Sequence, residues 1–235
     1  MNNSSYNIID SQVVYEDNHI IILNKRPSQI VQGDKTGDVC LVDMVKDYLR
    51  VKYNKPGNVF CGLVHRLDRP VSGLVIFAKT DKALSRLSKQ ILNHEINKVY
   101  WAIVKNRPPA EEDVLVGYIK RNEKQNKSYI VPEGTANAKK AVLDYKLIAQ
   151  SDGGYNLLEI KLYTGRHHQI RTQLANMGCP IRGDLKYGYP RSNNDASISL
   201  HARRLSFIHP IKKELIEVEA TPYHDSDKLW QAFCL

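Results

Sequence analysis

The chain has 235 residues, enough for one large domain or two small ones, and at 42% hydrophobic it can bury a real core. Lysine and arginine outnumber aspartate and glutamate by 34 to 25, so the formal net charge of +9 favours a polyanionic partner such as nucleic acid. No apolar run approaches the length of a membrane span, and Met1 to Asp10 lacks the cationic start and apolar core of a signal peptide, so the expected compartment is the cytoplasm. The basic residues are spread through patterned segments, which predicts a folded basic surface rather than a charged tail. Cys40, Cys61, Cys179 and Cys234 are widely spaced, without zinc spacing, and read as reduced, mostly buried thiols.

In chain order, residues 1–10 read as a loose end, and 1–12 as a flexible terminus ahead of one domain over 13–235. Val13 to Tyr15 and His19 to Lys25 read as two strands around the turn Glu16-Asp17-Asn18. After a polar loop at Gly33 to Gly37, Leu41, Val42, Val45, Tyr48 and Leu49 recur at helical spacing, with Asp38 as the N-cap. Leu63-Val64 and Leu74 to Ala78 are strand-like. Thr80 caps a helix whose buried stripe is Leu84, Leu87 and Ile91. Val99 to Lys105 is a strand. Ala141 to Ala149 and Tyr155 to Tyr163 form a hairpin through Ser151-Asp152-Gly153-Gly154. Ile170, Leu174 and Met177 mark a short helix closed by Gly178, and Ile216 to Ala220 alternates as a late strand. Asn106 to Val114, Arg121 to Ala138 and Pro190 to Ser197 read as loops. The sum is a strand-rich α+β chain without repeats.

Three segments carry candidate chemistry. His65-Arg66-Leu67-Asp68-Arg69 sets a carboxylate between two arginines, amid apolar runs. A neighbouring cation favours the ionised acid, which suits a nucleophile or a stabiliser of positive charge. The same residues would equally fit a weak surface Asp–Arg pair. In Thr164-Gly165-Arg166-His167-His168-Gln169-Ile170-Arg171, Gly165 allows a sharp turn. Two arginines and two histidines then arrive at a helix start, where backbone N–H groups favour anions. Adjacent histidines on a helix diverge and no carboxylate lies at ligand spacing, so no metal site is expected. On a strand, Lys98 and Tyr100 share one side, where a tyrosine can stack on a base with the lysine near its phosphate; a core tyrosine would look the same. The basic loop Cys179 to Gly188 reads as a turn-rich connector or as part of the same surface.

Together, and in order, these segments resemble the RluA-type pseudouridine synthase family. Tyr15 to His19, and Lys25-Arg26-Pro27 with Arg26 inserted into the usual Lys-Pro pair, are similar to its opening strand and turn. His65 to Asp68 with Ser72-Gly73, Ala78-Lys79, Lys98-x-Tyr100 and Thr164 to Arg171 match its later motifs. Pro180-Ile181, Gly183-Asp184, Lys186 to Gly188, Leu200-His201-Ala202 and Phe207 to Pro210 continue the match. The resemblance implies a mixed, mainly antiparallel sheet with flanking helices around a central basic cleft. It implies isomerisation of uridine in ribosomal or transfer RNA, the base leaving C1′, turning, and rejoining through C5, with no cofactor. Asp68 would attack C1′ or act as the base toward a glycal. Arg171 would pair with Asp68, Tyr100 would stack on the base and help remove the C5 proton, and Ile170 would pack on the other face. Arg66 would help flip the target, Leu67 would wall off water, and Lys98, Arg166, His168 and Gln169 would bind substrate. Since strands begin by residue 13, a stand-alone catalytic domain without the family's S4 domain is expected, acting as a monomer. Two competitors are a catalytically silent RNA-binding module on the same fold and a glycosidase-like hydrolase, which would need a second carboxylate, with Asp184 as the one other motif acid.

Overall fold

The computed structural model describes residues 3–33, 37–225 and 227–233. The chain divides into two compact units, Met1–Ile96 with Arg204–Thr221, and Asn97–Arg203 with Pro222–Leu235. No composition break marks these boundaries in the sequence.

The first unit opens with helix α1 (Asn3–Asp10), where a loose end was expected. Tyr6 stacks on Tyr48 with ring centroids 5.0 Å apart, which anchors the terminal helix. Strands β1 (Val13–Glu16) and β2 (Ile20–Lys25) follow, joined by a turn in which Asp17 Oδ1 accepts from the His19 and Ile20 N–H groups. Helix α2 (Leu41–Lys52) buries Leu41, Val45, Tyr48 and Leu49. Its N-cap is Cys40, without a side-chain cap, rather than Asp38; the Asp38 carboxylate lies 2.9 Å from Arg69 instead. Strand β3 (Gly62–Leu63) and strand β4 (Ser72–Ala78) flank the Asp68 loop. Every residue of β4 is buried, as its unbroken apolar run implies, and it pairs antiparallel with β2 and β3. Thr80 Oγ1 accepts from Ala83 N–H and starts helix α3 (Asp81–Leu92), whose apolar side packs Ala83, Leu84, Leu87 and Ile91 onto Ile20, Ile22, Leu74 and Ile76.

The second unit is an antiparallel array in the order β5-β9-β8-β6-β7, comprising β5 (Asn97–Val104), β6 (Glu112–Asn122), β7 (Lys127–Val131), β8 (Lys139–Gln150) and β9 (Asn156–Leu162). The β8–β9 hairpin stands where the sequence predicted it. The β6–β7 hairpin does not: residues 112–114, 121–122 and 127–131, read as loop, are strand. Its apolar residues are interspersed with charges and exposed, as with Val114 and Val116, so alternation toward a core is weak there. Helix α4 (Gln169–Asn176) and a 3-10 turn (Leu185–Tyr187) complete the unit, with Trp230 and Phe233 packed on Ile103 and Leu157.

Strand β10 (Leu200–Ile208) supplies residues 204–208 to the first unit, where they pair antiparallel with β11 (Leu215–Glu219) and add Leu205, Phe207 and Ile216 to its core. His209 is fully buried. Its Nδ1 accepts from the Ile211 and Lys212 N–H groups, and its Nε2 lies 2.9 Å from Asp17. The motif-like ends of β1 and β4 also meet: Glu16 and Lys79 form a buried pair at 2.6 Å. Burial alone would raise the Glu16 pKa, but Lys52, Lys79 and Tyr53 donate to the carboxylate and bring it to about 2.

Every strand pairing with a described register is antiparallel, giving the expected α+β architecture. Among the described residues, Cys40, Cys61 and Cys179 are free and buried; Cys234 lies outside them. No described helix is long and apolar enough to cross a membrane. Leu87 is fully buried in the first core, so Leu87→Ala should lower the unfolding free energy by about 2–4 kcal/mol in denaturant titration. A loss below about 1 kcal/mol would mean that α3 does not close this core.

Candidate active site

Asp68 is half-buried in the loop between β3 and β4, beside buried Leu67 and exposed Arg66. Val71 N–H donates to Asp68 O at 3.0 Å and closes a tight turn. Ser28 N–H donates to Arg69 O at 2.9 Å, and His65 Nε2 accepts from Ile76 N–H at 3.3 Å, so both ends of the segment are tied to neighbouring backbone. Gly73 has φ 112, a left-handed backbone that favours glycine just past the turn.

The residue holding this loop is Lys25, the last residue of β2. Its side chain is fully buried, and Nζ donates to Arg26 O at 2.9 Å, Arg69 O at 3.1 Å and Val71 O at 2.6 Å. Three carbonyl acceptors match the three N–H bonds of an ammonium, whereas a neutral amine has only two. Burial pulls the Lys25 pKa down to about 7; the Asp68 carboxylate opposes this and Arg69 adds to it. Arg69, one of the two arginines flanking Asp68, reaches Asp38 in a half-exposed pair. Lys25 therefore ties the Asp68 turn to the end of β2 from within the same unit. The signal in the sequence was a charged residue ending the apolar run Ile20 to Leu23.

In the second unit, Tyr100 is buried at mid-strand on β5, opposite Ile160. Lys98, two residues earlier, has its pKa lowered by burial. A Cβ on Gly165 would sit 3.9 Å from Lys98 Nζ, so the Lys-x-Tyr strand and the Thr-Gly-Arg segment lie side by side. The left-handed residue of that segment is His168 (φ 52), the N-cap of α4, and not Gly165. The turn's polar groups are engaged internally: Gln169 Oε1 accepts from Arg166 N–H and Thr164 Oγ1, and Gln169 Nε2 donates to Val142 O. Arg166 Nε donates to Lys140 O on β8. Ile170 and Arg171 are both buried on α4.

Arg171 forms a bidentate pair with Asp184, Nε to Oδ2 at 2.7 Å and Nη2 to Oδ1 at 2.8 Å, with Asp184 almost wholly buried. Both Asp184 oxygens are thus occupied, which removes the second carboxylate that a glycosidase-like reading required. His168 Nδ1 lies 2.9 Å from the Tyr187 hydroxyl, and its ring stacks on His167 at 3.8 Å.

The sequence profile of the RNA pseudouridylate synthase family matches residues 19–176. The ribosomal large subunit pseudouridine synthase D of Zymomonas mobilis is 32% identical over 234 residues, covering 95% of this chain and 73% of the relative. The tRNA pseudouridine synthase C of Vibrio parahaemolyticus is 28% identical, covering 95% of this chain and 93% of the relative. The solved structure of human RNA Pseudouridylate Synthase Domain Containing 4 matches in fold with a TM-score of 0.78 at 21% identity, over 95% of this chain and 93% of that one. The chain belongs to the RNA pseudouridylate synthase family. It is an RNA pseudouridine synthase, an isomerase.

The Lys25 environment sets a pH dependence with a defined sign. Its folded pKa of about 7 lies below its ordinary 10.5, so the unfolded chain binds more protons between those values. Stability then rises with pH across that window. Relative to Lys25→Met, wild type should gain more than about 1 kcal/mol of unfolding free energy between pH 7 and pH 10. Parallel stability curves for the two proteins would show that the ammonium is not strained by burial.

Proposed function

We propose that this enzyme converts specific uridines in large-subunit ribosomal RNA to pseudouridine, with Asp68 as its catalytic carboxylate, acting as a cytoplasmic monomer. The observation that carries the proposal is the anchoring of the Asp68 loop by the buried Lys25 ammonium. Such a scaffold suits a carboxylate whose position matters more than its exposure. Relatives named for the ribosomal large subunit, from Zymomonas mobilis, Borreliella burgdorferi and Vibrio cholerae, support the substrate class.

The chemistry breaks the C1′–N1 bond, forms C1′–C5, releases the C5 proton and leaves a proton on N1, so no external reagent is consumed. Asp68 either attacks C1′ or removes a ribose proton toward a glycal. Arg171 is assigned to orient that carboxylate. Tyr100 stacks on the base and takes part in removing the C5 proton, with Ile170 on the other face. Lys98, Arg166, His168 and Gln169 line the substrate-binding segment. Arg66 assists extrusion of the target nucleotide, which is unreachable while paired. Exposed lysines and arginines supply a salt-sensitive grip on phosphates.

A second substrate class, transfer RNA, is favoured by one observation: the Vibrio parahaemolyticus relative named for tRNA matches over nearly its whole length. Tritium release separates the two. RNA carrying tritium at uridine C5, split into ribosomal and transfer fractions, should lose label to water only from the ribosomal fraction. Asp68→Ala should reduce release at least about a thousandfold while RNA affinity stays within about threefold. Arg171→Lys should cost about thirtyfold, since lysine lacks the bidentate fork. Release from transfer RNA alone would shift the substrate assignment. Full release by Asp68→Ala would refute the role given to that residue.

A further inference from the structure

The stretch Gly183 to Gly188 has no part in the proposed chemistry. It is built with unusual rigidity for a connector. Gly183 has φ 86, and a Cβ there would come within 2.7 Å of Ser197 O and 2.8 Å of the Asn193 side chain, so a larger residue meets both backbone strain and a backbone atom. Asp184 O accepts from both the Tyr187 and the Tyr189 N–H groups, which folds the loop back on itself. Asn193 Nδ2 donates to the Ser197 and Ser199 hydroxyls behind it.

This loop meets Arg171 on two sides. Asp184 grips Nε and Nη2, fixing the plane of the guanidinium. The Tyr187 ring lies against the same group, with Cζ 5.1 Å from the ring centroid. The Tyr187 hydroxyl then joins further elements: it accepts from the buried Ser128 N–H on β7 at 2.8 Å and lies 2.9 Å from His168 Nδ1, at the start of the helix that carries Arg171. The Ser128 hydroxyl lies 2.9 Å from His167 Nδ1, so the β6–β7 hairpin also meets the α4 turn directly.

The geometry points to Asp184 and Tyr187 as positioning residues for Arg171, holding its guanidinium in one plane on α4. This rests on the assignment of Arg171 made under Proposed function. A loop that served only stability would lower the folded fraction and leave the kcat of the folded enzyme unchanged. A positioning loop acts through Arg171, so its loss matters little once that residue has been replaced.

The experiment is a set of double-mutant cycles on tritium release from C5-labelled RNA, with kcat and KM measured separately and folding checked by near-UV circular dichroism. Asp184→Asn should lower kcat about thirtyfold, and Tyr187→Phe about fivefold, with KM for RNA within about threefold in both. Added to Arg171→Lys, each should cost less than about a further twofold. Full additivity with a slowed Arg171→Lys, or wild-type kcat in folded Asp184→Asn, overturns the inference. Should Asp184→Asn fail to fold, the Tyr187→Phe cycle decides by the same criterion, because that change keeps the ring and removes one hydroxyl. Wild-type turnover by Arg171→Lys alone would instead overturn the assignment of Arg171 itself, and the inference with it.

Discussion

A buried ammonium cannot be left without acceptors, and that constraint organises the first unit. Desolvating Lys25 is costly, and the cost is contained only because three backbone carbonyls converge on Nζ. Two of them, from Arg69 and Val71, belong to the turn that begins at Asp68. The chain must therefore bring that turn against the end of β2, which the register of Lys25 opposite Gly73 also enforces. One side chain thus shapes the loop that carries the carboxylate.

The second unit meets a similar demand by another route. Arg171 is buried on α4, and its charge is met by a carboxylate rather than by carbonyls. Removing one member of such a pair leaves the other uncompensated, so the two are coupled in any substitution. The turn ahead of α4 is built from side chains that bind backbone: Gln169 closes it, and Arg166 reaches to β8. Residues expected to meet substrate therefore also hold the frame. His168 is both, taking a left-handed backbone that its ring contact with Tyr187 secures.

Much of this was legible where local chemistry and burial agree. The β4 run, the Thr80 cap, the β8–β9 turn and the Asp17 turn each pair a residue type with the geometry it favours, and each stands as expected. The misses share a cause. The first helix is held by the Tyr6–Tyr48 contact, which no local pattern reveals. The β6–β7 hairpin exposes apolar residues among charges, so its alternation does not stand out. Asp38 is drawn away from the α2 cap by Arg69. Asp68, Tyr100 and Arg171 were singled out because their order along the chain resembles a family. Lys25, Asp184 and Tyr187 fall in matched motifs too, but what each one holds is visible only in the contacts. A lysine in a strand and an aspartate in a glycine-rich turn do not name their partners, which lie tens of residues away or on another helix.

The central claim is isomerisation at Asp68, and the most direct measurement is a nucleoside balance. RNA is incubated with wild type or with Asp68→Ala, digested to nucleosides, and separated by liquid chromatography with mass detection. The account predicts that pseudouridine gained equals uridine lost with wild type, that no free uracil appears, and that neither changes with Asp68→Ala. Free uracil as a product, or pseudouridine formed by Asp68→Ala at the wild-type rate, would contradict it.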